Sequence, residues 1–123
     1  MKSYQSVDKE TMSGRETEAR VLTQAALKLI DCQKNWDAPD LKARLDAALK
    51  YNQRIWSIFQ IEMTKSDNPL PNNIKENILL LSRYIDKCIF DAMAFPEANK
   101  LNMIIKINQN LAAGLRGSAS GPI

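Results

Sequence analysis

The sequence predicts an all-α protein, an elongated bundle of about four amphipathic helices. Apolar residues recur three and four apart over long stretches, which is the period of one helix face. Leu, Ala, Lys, Glu and Gln fill those stretches, and all are good helix formers. The five prolines and four glycines of the 123 residues fall mostly near the ends or between apolar stretches, where they read as boundaries.

Residues 1–12 are polar and aperiodic and read as a flexible lead-in. Ser13-Gly14-Arg15-Glu16 has the spacing of a capping box, in which Ser13 accepts the Glu16 backbone N–H and the Glu16 side chain reaches back. A helix is expected from there to about residue 35, with Ala19, Leu22, Ala25, Ala26, Leu29, Ile30, Gln33 and Trp36 on its inward stripe. Its alanines permit a close neighbouring helix. Asp37 reads as the next N-cap, followed by Pro39 in the first turn and Asp40 against the helix dipole.

The second helix is expected over 38–64. At 1.5 Å per residue it spans about 40 Å, longer than the roughly 27 Å width of a compact chain of this size, so the bundle is elongated. Leu41, Leu45, Ala48, Asn52, Ile55, Trp56, Phe59 and Met63 share one arc about 100° wide. Ile58 and Ile61 fall outside it, which is more apolar surface than one stripe uses.

Lys65 through Pro71, with two prolines and turn-forming Asp and Asn, is the clearest break. A third helix follows over 72–94, with Ile74, Ile78, Leu81, Ile85, Cys88, Ile89 and Ala92 on its stripe. Leu79 and Phe90 line up on nearly the opposite side, beside Arg83 and Asp86. Phe95-Pro96 ends this helix. A fourth covers 97–115, with Leu101, Ile104, Ile105, Ile107, Asn108, Leu111, Ala112 and Leu115 facing one way. Residues 116–123 read as a disordered tail, leaving 13–115 as the single domain.

Composition excludes more than it suggests. Apolar residues make up 45% and charged residues 25%, ordinary for a soluble globular protein. The net charge of +3 comes from interleaved basic and acidic residues. No dense basic run marks a nucleic-acid surface. Histidine is absent, which excludes His-based general bases, Ser-His or Cys-His couples and His metal sites. Paired carboxylates in an apolar site, Gly-rich phosphate loops and metal-ligand spacings are also missing. The expectation is a protein that is not an enzyme and needs no cofactor or metal. Cys32 and Cys88 lie far apart within helical patterns and read as reduced, buried small hydrophobes, which suits a cytoplasmic protein. No signal-like or membrane-spanning apolar run occurs.

Two stripes contain an asparagine, Asn52 and Asn108. The expectation is that each bonds across the bundle and fixes register. A backbone contact to a bound client is the alternative. Arg15 and Glu18 read as a solvated charged pair, or as a clamp on a partner. Ile58, Ile61, Leu79 and Phe90 either pack against a neighbouring helix or wall a groove for another helix.

Several segments together resemble the FlaF family of flagellar-biosynthesis regulators. They are RETEARVLTQAALKL at 15–29, YNQRIWSIF at 51–59, LPNNIKENILLLSRYI at 70–85 and INQNLAAGL at 107–115. The most specific pieces are Asn52 with Trp56, Leu70 with Pro71, and Asn108 with Gly114 and Leu115. Gln109 stands where the family usually has Arg. The resemblance implies a cytoplasmic helical protein that binds the terminal amphipathic segments of flagellin, acts as a secretion chaperone and promotes flagellin synthesis, opposing the mRNA-acting regulator FlbT. It gives Asn52, Trp56, Pro71, Asn108 and Gly114 structural roles. On this reading Ile58, Ile61, Leu79 and Phe90 are anchors for a flagellin helix, with Arg15, Glu18 and Arg83 at the rim. The alternatives are post-transcriptional regulation of flagellin mRNA, direct or through a partner regulator, and an adaptor to export-apparatus components.

Overall fold

The computed structural model describes the backbone of residues 2–119 and the side chains of residues 14–117. Four α-helices follow in order: α1 (Lys2–Lys34), α2 (Leu41–Thr64), α3 (Asn72–Ala94) and α4 (Leu101–Ala119). A short 3-10 turn, Ala98–Lys100, precedes α4. No strand occurs among the described residues, so the all-α expectation holds.

Three boundaries differ from expectation. α1 begins at Lys2 rather than at 13, so Ser13 and Glu16 lie within a helix and form no cap at its start. Residues 2–12 contain no breaker, and Gly14 costs a helix only about 1 kcal/mol. The Glu16 carboxylate instead meets Arg116 at 3.4 Å. α2 begins at Leu41, with Asp40 rather than Asp37 at the N-cap position and without a side-chain cap bond. The Asp40 carboxylate accepts from Arg44 Nε at 2.9 Å, a charged partner that outcompetes a backbone N–H. α4 continues through Ala119, so 116–119 are helical and not a tail; residues 120–123 lie outside the described residues.

Neighbouring helices run antiparallel. α1 and α2 meet where Asn52 reaches Ala25 and Lys28 Nζ sits 4.9 Å over the Tyr51 ring. α1 and α4 meet where Gln33 donates to the Ala98 carbonyl at one end and Arg116 reaches Thr23 and Glu16 at the other. α2 and α3 meet through Gln60 and Asp86. α1 packs most extensively on α4 and α2 on α3, whereas α3 and α4 barely touch. The bundle therefore has one open seam, between α3 and α4.

The core follows the expected stripes closely on α1, α2 and α4. Leu22, Leu29, Leu49, Trp56, Ile78, Ile85, Ile89, Leu101 and Ile104 are fully buried. Leu49, Leu70 and Ser82 join this core beyond the expected stripes. α3 departs from its stripe: Ile74 is 38% exposed, and Leu81 and Cys88 are half-buried. The cause is the open seam, because the α4-facing half of the α3 stripe has little to pack against. Ile107 and Leu111 on α4 are half-buried for the same reason.

The α2–α3 connection is held by one side chain. Asn68 Oδ1 accepts the Leu70 backbone N–H at 3.0 Å, and its Nδ2 donates to the Glu62 carbonyl at 3.1 Å, closing the end of α2. Pro71 stands at the N-cap of α3, where its missing N–H has no consequence. Its carbonyl accepts the first α3 amides, from Ile74 and Lys75, each at 3.0 Å.

Candidate functional site

The interior contains one polar assembly. Trp56 Nε1 donates to Asn108 Oδ1 at 2.8 Å. Asn108 Nδ2 donates to Asn52 Oδ1 at 2.6 Å. Asn52 Nδ2 donates to the carbonyls of Ala48 at 2.8 Å and Ala25 at 3.2 Å. All three side chains are fully buried. The relay has a fixed direction, because an indole N–H only donates and a carbonyl only accepts, so both amides have one orientation. No buried side-chain N or O among the described residues lacks a partner. The asparagines thus bond across the bundle, joining α1, α2 and α4. α3 has no part in the relay.

Among the described residues no cluster of Cys, Asp or Glu is arranged to hold a metal. Cys32 is buried, which pushes its thiol pKa above the ordinary 9.0, with Asp31 adding to the effect. Cys88 is half-buried, and both cysteines are free. No described helix is long and apolar enough to cross a membrane.

The surface is where apolar residues are left over. Ile58 is 50% exposed, Ile61 60% and Phe90 65%, while Leu79 is partly buried against the core. The four do not form one face. Ile58 follows Tyr51 by two turns and so lies on the α1 side of α2. Leu79 and Phe90 share the flank of Asp86, which accepts from Gln60 Nε2 at 3.2 Å across the α2–α3 seam. Ile61 lies on the outer face of α2, between the two. Arg15 and Glu18 pair with each other at 2.7 Å and are largely covered, and Arg83 is exposed on α3. Sequence periodicity did not single out Leu80, 63% exposed, or Leu27, Tyr84, Phe95 and Met103, which are also exposed. Four of the exposed large apolar residues, Ile74, Leu80, Tyr84 and Phe90, belong to α3.

Among the described residues, three grooves stand out between the helices. The α1–α2 groove, about 560 Å³, is lined by Leu27, Lys28, Asp31, Cys32, Arg44 and Tyr51 among others. The α2–α3 groove, about 500 Å³, includes Asp40, Lys42 and Asp46. The α3–α4 gap, about 290 Å³, is lined by Leu81, Ile107, Asn110 and Leu111 and has no charged wall. Ile74, Tyr84 and Cys88 share the α3 flank of Leu81, at spacings of three and seven. The Cys88 thiol beside Tyr84 pushes the phenol pKa above its ordinary 10.0.

Gly114 lies two turns after Ile107, on the same flank of α4. A Cβ there would meet nothing within 4 Å, so no contact inside the fold requires glycine. The structural role expected for Gly114 is therefore not a packing role. Asn52, Trp56 and Asn108 make the bonds of the buried relay, and Pro71 stands at the start of α3.

Residues 1–115 match the family described as flagellar protein FlaF. No curated protein and no solved structure matches the chain.

Proposed function

The chain belongs to the FlaF family of flagellar proteins and so acts in flagellar biogenesis; from that premise we propose that it is a flagellin-binding secretion chaperone. The carrying observation is α3, which buries one stripe and still exposes Ile74, Leu80, Tyr84 and Phe90. A helix apolar on several sides in a finished fold is an interaction surface. Terminal segments of flagellin that are amphipathic and unstructured before assembly would order on such a face, hiding their own apolar stripes. The chaperone acts in the cytoplasm, before export. Holding flagellin there also keeps it from aggregation and loss, which supports its accumulation.

Calorimetry with purified flagellin tests the proposal. Binding at micromolar concentration is expected, and Leu80→Asp should weaken it while helical circular dichroism stays unchanged. No heat of binding with the wild-type chain would overturn it.

A further inference from the structure

We propose that the α3–α4 seam seats a fifth helix: an amphipathic client segment whose apolar stripe is edged by uncharged polar residues. This deepens the chaperone reading and rests on it for the identity of the natural client.

The choice among the three grooves follows from charge. The α1–α2 groove is edged by Lys28, Asp31 and Arg44, and the Arg44 guanidinium already sits 3.4 Å from the Asp31 carboxylate. The α2–α3 groove has Asp40 and Asp46, paired with Arg44 and Lys50. A helix laid into either would have to displace or desolvate ion pairs. The α3–α4 seam is walled by Leu81, Ile107, Leu111 and the neutral amide of Asn110. An ion pair, Lys100 to Asp91 at 3.1 Å, closes the end where the two helices connect. Charged edges on a client would therefore lose hydration here without gaining a counter-charge, whereas Asn, Gln, Ser or Thr edges would not.

Gly114 is the second, independent observation. It lies one turn beyond Asn110, toward the open end of the seam, in the interior of a helix that gains nothing from it. The bare backbone there lets another backbone approach closely. Exposed Tyr84 and Met103 form the outer walls, since Met103 is one turn before Ile107 on the same side of α4. From Ile74 to Tyr84 the trough runs about 15 Å, three turns of helix.

The test uses the full chain, purified flagellin and two synthetic helical peptides with the same Leu/Ala stripe. One peptide is edged by Asn, Gln and Ser, the other by Glu and Lys. Gly114→Leu should keep or raise the melting temperature, because the side chain enters open space. It should weaken flagellin and the uncharged-edge peptide about tenfold. Tyr84→Glu should do the same, while Ile61→Asp binds as wild type. The Glu/Lys-edged peptide should bind at least about tenfold more weakly than its uncharged twin. Loss of binding with Ile61→Asp but not with Gly114→Leu would overturn the seam. Equal binding of the two peptides, or a dimer in sedimentation that Gly114→Leu dissociates, would overturn it too. Binding of the uncharged-edge peptide without binding of flagellin would leave the seam standing and remove the flagellin reading alone.

Discussion

Asn108 stands at the middle of the buried relay, accepting from Trp56 and donating to Asn52. Its replacement by Leu strands a donor on one side and an acceptor on the other. Each buried unpaired group costs about 1–3 kcal/mol, so Asn108→Leu is expected to lower stability by about 2–5 kcal/mol. Urea unfolding measures it, and a change below about 1 kcal/mol would mean that the relay adds little. Cys32 makes a separate prediction. Burial holds its thiol pKa above 9.0, so the folded chain keeps a proton that the unfolded chain releases. That contribution is complete below the unfolded thiol pKa and is lost as pH rises through the folded one. The urea midpoint should therefore fall more steeply between about pH 8 and about pH 10 in the wild type than in Cys32→Ala. Equal slopes would contradict it.

Among the elements, α3 stands apart. It packs on α2, barely reaches α4 and contributes nothing to the relay. Elements with fewer buried contacts open at lower free energy. Amide exchange under native conditions should accordingly be fastest, among helix centres, in α3 around Leu79–Arg83, and slowest in α2 around Asn52–Trp56. Uniform protection across the four helices would refute this. α3 was also the element whose ends were most legible beforehand. Pro71 and Phe95-Pro96 bound it by backbone chemistry that no packing overrides. The start of α1 was illegible, because nothing between Lys2 and Gly14 forbids a helix and nothing there demands one. The start of α2 was misread because Asp37 and Asp40, on either side of Pro39, could each have been the cap.

At the scale of the whole molecule, periodicity tells which side of a helix turns inward but not how far away the neighbour stands. Asn52 and Asn108 were therefore recognisable as buried polar groups. The bond from Trp56 to Asn108 was not, since it joins positions 52 residues apart. Ile74 belongs to the inward stripe of α3 by angle and still emerges exposed, because α4 does not close on it. The candidate site depends on that same distance. Apolar surplus was visible at Ile61 and Phe90 in the sequence, whereas the uncharged seam beside Gly114 exists only once α3 and α4 are set apart. The directed relay also bears on the order in which the chain is made. Its central amide comes from α4, which is made after α1 and α2, while both of its side-chain partners, Trp56 and Asn52, lie on α2. Every nascent chain that stops short of residue 108 has an indole N–H and an amide oxygen with no internal partner. The fold thus withholds its completed interior until α4 has been made, and a chain cut short before it is marked by unmet hydrogen bonds at its centre.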